Sequence, residues 1–307
     1  MVEISQLTYG WINPALGFGM SFIGSLLGLV CAARARDTGR SGSPAGWYAL
    51  AAVSIGGTGV WLAHFLMALG FSAANGPVRY GAGLTILSAV IAIAVTGAGL
   101  IIAGPGTPSP LRLAGAGTFT GVGFAAMHYT GLAAMHVRGQ VSYRPLVVAA
   151  SVVLAVGVAT AAVWFTTTVR GALASSLAAL VVALSVVFLH YTGMAAVQVL
   201  AGVDPPGGVP GADPSRFLGW ITLGAGAAVM TVLYFVFTAP DEHERAAMAG
   251  LRELLLRTEP ELIAAVAAAA AAAAPEPEPD PDPAPDPEET GEFYLPGDFT
   301  TDPVPAR

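Results

Sequence analysis

The amino-acid sequence predicts an all-α membrane protein with seven transmembrane helices, built from three helix-pair repeats plus one helix, followed by a cytoplasmic helix and a disordered tail. Composition is the first reason: 54% of residues are hydrophobic and 11% are charged, whereas soluble domains carry about a quarter charged residues. Mean hydropathy is +0.67. The other reasons are a series of long apolar runs and a histidine motif that recurs inside three of them.

Each apolar run is long enough to cross the hydrocarbon layer, which takes about 20 helical residues. The seven runs lie near residues 14–33, 46–70, 82–103, 113–136, 145–167, 172–200 and 217–238. Glycines such as Gly56, Gly57 and Gly59 lie inside the runs. Small residues let membrane helices approach closely, so these glycines predict packing contacts rather than breaks.

The arginines predict the orientation. Lys and Arg together number 13, and all of them are arginine. Arginines are concentrated in the loop after the first run and in the segment after the last run: Arg34, Arg36, Arg40, Arg245, Arg252 and Arg257. By the positive-inside rule, we expect a multi-pass protein of the cell (plasma) membrane with its N-terminus outside and its C-terminus in the cytoplasm.

Composition also divides the chain into regions. Residues 1–240 form the predicted seven-helix domain, residues 241–273 the cytoplasmic helix, and residues 274–307 a tail in which proline alternates with acidic residues. No region outside the membrane has the roughly 100–150 residues of a typical catalytic domain, so we do not expect an enzyme. The net charge of -7 argues against a nucleic-acid partner.

The repeated motif is the main functional signal. Met127-His128-Tyr129-Thr130 lies in the fourth run, and Leu189-His190-Tyr191-Thr192 follows sixty-two positions later. A weaker copy around His64 precedes the first by sixty-four positions. A polar residue that recurs at nearly constant spacing indicates an internal repeat. Ionisable residues inside a membrane are costly, which favours a functional role for the three histidines.

Helix geometry brings these histidines to a similar depth. The second, fourth and sixth runs all cross from inside to outside, and the histidines lie about six, nine and eleven residues from the predicted outer ends of these runs. Three imidazoles at one depth predict a shared site. The alternative is that each histidine is a separate, hydrogen-bonded packing residue.

The residue types predict a metal site. Imidazole is the commonest metal ligand in proteins, and thioether sulfur favours Cu(I). Helical residues three or four positions apart share a face, which pairs Met67 with His64 and Met194 with His190. The predicted metal ligands are the three histidines with these two methionines: His64, Met67, His128, His190 and Met194.

Three further residues are weaker candidates. Met127 directly precedes His128. Met135 is seven residues after it, roughly 10 Å along the helix axis, which is too far to share one metal ion with His128 unless the helix distorts. His136 falls near the outer interface and is interpreted as a surface residue or an entrance ligand.

These motifs resemble the MHYT family of bacterial integral membrane sensor domains. The four residues from Met127 are the name motif itself, and Gly131, Ala134 and Met135 fit its continuation. The copy around His190 is similar with leucine in first place. The degenerate first copy is matched by Trp61, His64, Phe65 and Met67. The resemblance covers about residues 1–240.

The resemblance implies a seven-helix domain that binds copper through these histidines and methionines. It further implies sensing of a diatomic gas, such as oxygen, carbon monoxide or nitric oxide. Family members often continue into diguanylate cyclase or phosphodiesterase domains, whereas here a helix and an acidic tail follow. We therefore expect a separate cytoplasmic signalling partner. The sequence departs from the family pattern where methionine is expected, at Ala63, Leu132, Leu189 and Val197.

Two alternatives belong to other classes of protein. Two histidines on facing helices are also typical of a haem-bearing electron-transfer protein. A metal transporter is the second alternative, although the predicted spans contain no acidic or basic residue at mid-depth for an ion relay.

Overall fold

Eight helices make up most of the computed structural model, which describes residues 1–38, 43–104, 108–202, 208–238 and 242–273. The predicted tail, residues 274–307, lies outside the described residues. The helices are α1 (Ile12–Thr38), α2 (Ala45–Ala68), α3 (Ala82–Ala103), α4 (Pro110–Ala133), α5 (Pro145–Thr168), α6 (Ala172–Met194), α7 (Pro214–Thr238) and α8 (Glu242–Ala272).

Local sequence explains several helix boundaries. Proline stands at the start of α4 and α5, where its missing N–H costs no helical hydrogen bond. Ser109 caps α4 by accepting a hydrogen bond from the backbone N–H of Arg112 at 3.3 Å. Gly104 ends α3 with φ at 70°, a backbone conformation that glycine adopts without strain.

Six helices are long and apolar enough to cross a membrane, namely α1, α2, α3, α5, α6 and the Leu218–Thr238 part of α7. The predicted fourth span is also present as the 24-residue helix α4. Its glycines, threonines and Arg112 lower its hydropathy, so it is not among the six. The seven-span count therefore stays a prediction.

Helix α2 is irregular in a way that the sequence did not predict. Its segment Val53–Leu62 is π-helical over 10 residues, between α-helical segments on either side. This segment contains the glycines predicted as packing contacts. A Cβ on Gly56 would overlap the carbonyl of Ala92 in α3, and one on Gly59 would lie 3.2 Å from the backbone nitrogen of Ser25 in α1. The π segment is thus packed closely against two neighbouring helices.

Short strands connect the helices at the end of the bundle that holds the N-terminus. They form three antiparallel pairs: β1 (Ile4–Ser5) with β2 (Ser72–Ala73), β3 (Arg79–Tyr80) with β4 (Met135–His136), and β5 (Gln140–Tyr143) with β6 (Val197–Leu200). We call these six strands the strand cap. The all-α prediction missed the cap, and the predicted spans 113–136 and 172–200 included residues that belong to β4 and β6.

The cap and the helix ends share an apolar core. Phe65, Leu132 and Met194 from helices pack in one buried cluster with Tyr80 and Val199 from strands. Within the bundle, α1 packs against α2 and α6, and α4 lies between α3 and α5. The described residues form two compact units, one within residues 1–239 and one within residues 240–307.

Candidate metal centre

The structure brings His64, His128 and His190 together. Nδ1 of His64 lies 3.0 Å from Nδ1 of His190 and 3.2 Å from Nδ1 of His128. One ring nitrogen from each residue lies within 4.8 Å of the other two, and no cysteine or carboxylate of the described residues joins this cluster. All three residues are buried, with at most 9% of their surface exposed. We call this arrangement the histidine centre.

The ends of three helices hold the histidines at one depth. His64, His128 and His190 lie four, five and four residues before the last residues of α2, α4 and α6. The predicted depths of about nine and eleven residues for His128 and His190 were too large, because the strand cap begins inside the predicted spans 113–136 and 172–200. His64 lies close to its predicted depth of about six residues. Each histidine is therefore about one helical turn from the end of its helix.

Glycine makes room for two of the rings. A Cβ on Gly131 would lie 2.8 Å from Nε2 of His64, and a Cβ on Gly193 would overlap Nε2 of His128. Each glycine follows the histidine of its own helix by three residues, so it lies on the same helical face. In each of these two motif copies, the histidine contributes one ring to the site. The glycine leaves space for the histidine ring of the preceding copy, so that Gly131 contacts His64 and Gly193 contacts His128.

A cavity of ≈ 30 Å³ adjoins the histidine centre. Its polar lining consists of the three histidines, Tyr129 and Ser151. Most of the remaining lining is apolar and includes Val60, Phe124, Met127, Ala155 and Val186. A cavity of this size holds about two water molecules, or one diatomic molecule.

Ser151 is a residue of the site that the sequence motifs did not predict. Its Oγ lies 2.7 Å from the hydroxyl of Tyr129 and donates to the carbonyl of Val148 at 2.8 Å. The Tyr129 ring contacts His128 on one side, with centroids 5.1 Å apart, and Tyr143 of the strand cap on the other, at 5.8 Å. The repeat held a signal for this serine, because Ser88 and Ser151 follow His64 and His128 by 24 and 23 residues.

The predicted thioether ligands are buried at different places. Met67 packs at the interface of α1 and α2, where its Sδ would lie 3.0 Å from a Cβ on Gly17. Met194 lies in the apolar cluster shared with the strand cap. Met127 lines the cavity. The ligand role of these methionines stays a prediction.

Met135 and His136 belong to strand β4 rather than to helix α4. They pair with Tyr80 and Arg79 of β3, and His136 is not part of the histidine cluster. His136 is partly buried, and its Nδ1 has no hydrogen-bond partner in the part of the chain that the structure describes.

Tyr80 ties the cap to the end of α2. Its hydroxyl donates to the carbonyl of Ala68 at 3.1 Å, and the residue is 2% exposed. Burial raises the pKa of Tyr80 above its ordinary value, because the charged phenolate would lose its hydration. The cap therefore closes its end of the bundle with a neutral, hydrogen-bonded side chain.

Two segments of the chain match a known family. Residues 57–116 and 121–183 each match the MHYT family, described as a bacterial signalling protein N terminal repeat. His64 and His128 occupy the same position, the eighth residue, in the two matched segments. His190 lies beyond both segments.

Curated relatives are signalling proteins. The bifunctional diguanylate cyclase/cyclic di-GMP phosphodiesterase MucR of Pseudomonas aeruginosa is 33% identical over 212 residues, which are 67% of this chain and 30% of the relative. The cyclic di-GMP phosphodiesterase NbdA of the same organism is 33% identical over 172 residues, 54% of this chain and 22% of the relative. An uncharacterized signaling protein of Caulobacter vibrioides is 30% identical over 189 residues, which are 62% of this chain and 22% of the relative. The chain thus spans less than a third of the length of these relatives, and no solved structure matches it.

Proposed function

Because this chain belongs to the MHYT family of bacterial signalling proteins, we propose that it is a membrane sensor whose histidine centre binds copper and responds to a diatomic gas or to redox state. The candidate gases are oxygen, carbon monoxide and nitric oxide. One observation carries the proposal: three buried imidazole nitrogens meet at separations of 3.0 and 3.2 Å.

The number of nitrogens that converge, rather than their separations, favours a shared ion over hydrogen bonds among the rings, because 3.0 and 3.2 Å also lie within hydrogen-bond range. Two nitrogens bound to one metal at roughly 2.0–2.1 Å lie about 3.3–3.6 Å apart in tetrahedral or trigonal geometry. The observed distances are within a few tenths of an ångström of that range. Nδ1 of His64 faces two other nitrogens at once, but an imidazole nitrogen carries only one hydrogen or one lone pair. A metal ion accepts all three lone pairs together.

The charge of the centre favours a monovalent ion. Among the described residues, no carboxylate belongs to the cluster to offset a bound cation. The cost of burying an ion rises with the square of its charge, so a divalent ion costs about four times as much as a monovalent one. Cu(I) is monovalent and accepts imidazole and thioether ligands. Met127 is buried and lines the cavity beside the three histidines, so it is a soft donor available to the ion.

The cavity supports a small sensed molecule. At ≈ 30 Å³ it has room for a diatomic gas beside the three rings, and most of its wall is apolar. A haem held between two of the histidines fits poorly. Nitrogens on opposite sides of a haem iron lie about 4 Å apart, twice a bond of roughly 2.0 Å, with the porphyrin between them.

The named activities of two relatives suggest an output for the signal. MucR and NbdA are named for enzymes of cyclic di-GMP metabolism. We infer that this chain controls a cyclic di-GMP enzyme carried by a separate cytoplasmic partner, and we assign no catalytic step to the chain itself.

Elemental analysis and spectroscopy of detergent-purified protein test the proposal. We expect copper in the wild-type protein, an EPR signal with nitrogen hyperfine structure after oxidation, and a change in the optical or infrared spectrum when carbon monoxide is added to the reduced form. His128→Ala should lose the metal. His136→Ala is the matched control, because this histidine lies outside the cluster, and it should keep the metal.

Three results would overturn the assignment. Wild-type protein without copper after reconstitution would remove the metal centre, and a Soret band would select the haem alternative. Copper uptake into vesicles that depends on this protein would select the transporter.

A further inference from the structure

We propose that Tyr129 and Ser151 position the histidine centre through water held in the adjoining cavity. This inference rests on the proposed function, since it concerns how the protein holds the metal-binding rings. Neither hydroxyl is a metal ligand in this scheme. Both act through the imidazoles.

Two of the histidine rings each have a second nitrogen that does not face the proposed metal and needs a hydrogen-bond partner. Nε2 of His128 and Nε2 of His190 are buried and have no hydrogen-bond partner among the described residues. A neutral imidazole that offers Nδ1 to a metal carries its hydrogen on Nε2. Metal-binding histidines almost always donate this second N–H to a carboxylate, a carbonyl or water, which fixes the tautomer and the ring orientation.

The cavity supplies a place for the water. It is lined by all three histidines, by Tyr129 and by Ser151. Its volume of ≈ 30 Å³ exceeds the roughly 10–15 Å³ that one water molecule needs. Water is stable in a buried cavity when it makes about three hydrogen bonds, and these side chains provide both donors and acceptors.

The hydrogen bonds of the two hydroxyls have a defined direction. Ser151 donates its hydrogen to the carbonyl of Val148, so its Oγ can only accept from Tyr129. Tyr129 therefore donates to Ser151, and the lone pairs of its oxygen remain available as acceptors. The resulting relay runs from an imidazole N–H to water, from water to Tyr129, from Tyr129 to Ser151, and from Ser151 to the carbonyl of Val148.

The other motif copies lack this arrangement. In the first matched segment, Ser88 is as well buried as Ser151 and donates to the carbonyl of Thr85 at 2.7 Å. Its oxygen accepts from Nε1 of Trp61, and it does not line the cavity. In the third copy, the hydroxyl of Tyr191 is buried and has no hydrogen-bond partner within the described ranges. Ser88 is therefore a natural control for Ser151.

The test compares Tyr129→Phe and Ser151→Ala with Ser88→Ala. Cu(I) affinity is measured by competition with a colorimetric chelator, and thermal unfolding of the metal-free protein is measured in parallel. Loss of a partner that orients metal-binding histidines typically weakens metal binding by about 10- to 100-fold. We expect this loss for Tyr129→Phe and Ser151→Ala, recovery in Ser151→Thr, and unchanged affinity in Ser88→Ala despite any loss of stability.

A spectroscopic signature separates positioning from general destabilisation. In the Cu(II)-loaded protein, pulsed EPR detects the remote imidazole nitrogen and any exchangeable deuterium beside it. Tyr129→Phe should change the remote-nitrogen quadrupole coupling, and Ser88→Ala should leave it as in the wild type. Equal affinities in Tyr129→Phe and wild type, or equal losses in Ser151→Ala and Ser88→Ala, would overturn the relay while the metal centre stands. A wild-type protein that binds no copper would instead remove the proposed function and the relay with it.

Discussion

Nδ1 of His64 lies 3.0 Å from Nδ1 of His190, although 126 residues separate them in the sequence. Helices α2 and α6 both end about one turn after their histidine, and the strand cap covers these ends. The contact therefore depends on helix ends and on the cap as much as on the motif itself.

The three histidines should act as a unit in metal binding. Single substitutions His64→Ala, His128→Ala and His190→Ala should each remove copper nearly as completely as the triple substitution, since each breaks the shared geometry. Copper content per chain, measured by elemental analysis, checks this. Graded, additive losses would indicate separate sites.

Alanine at the two ring-admitting glycines should disrupt the centre. Gly131→Ala and Gly193→Ala place a methyl group against a histidine ring, and overpacking of this kind costs about 1–3 kcal/mol of unfolding free energy. We expect reduced copper content and a lower midpoint of thermal unfolding. Gly115→Ala in the same helix as Gly131 is the control, because a Cβ there would meet no atom of the described residues within 4 Å.

The substitution Tyr80→Phe should lower the free energy of unfolding by about 0.5–1.5 kcal/mol, which is the net contribution of one hydrogen bond. The variant should also lose less stability than the wild-type protein when the pH becomes alkaline. The pKa of Tyr80 is higher in the folded protein than in the unfolded chain, so the unfolded chain loses its proton first as pH rises. The stability that the neutral Tyr80 side chain contributes to the folded protein is fully present below about pH 10 and declines above that value. Denaturant unfolding at pH 8 and above pH 10 checks both effects. An unchanged pH dependence in the variant would contradict this role.

The orientation stays a prediction with a direct test. A reporter fused after residue 240 should be active only as a cytoplasmic fusion, because arginines are concentrated beside α1 and after α7. Neutral replacements of Arg34, Arg36 and Arg40 together should weaken this preference. An active periplasmic reporter at residue 240 in the unmodified protein would reverse the topology.

Removal of residues 275–307 should leave the bundle unchanged. These residues lie outside the described part of the chain, and their proline and acidic content provides no apolar surface to bury. Thermal unfolding of a chain ending at residue 274 should match that of the full chain. A clear decrease in the unfolding midpoint would indicate that the tail docks onto the protein.

The sequence by itself identified the apolar helices and the three histidines, because long apolar runs and a repeated polar residue are local signals that survive without tertiary contacts. It also predicted that glycines such as Gly56 and Gly59 lie at helix contacts. The π segment of α2 escaped prediction, since Val53–Leu62 is mostly apolar residues and glycine and carries no periodic pattern that would reveal a change in residues per turn.

Only the tertiary structure decided how the site is closed. The cap strands have two to four residues, too few for a recognisable alternation, and their partners lie in distant connections, as Val141 and Val199 do. The role of Gly131 beside His64, and of Ser151 beside Tyr129, depends on which helices become neighbours. The sequence determines which side chains each helix contains. Packing between helices determines the distances of a few ångströms between those side chains, on which metal binding depends.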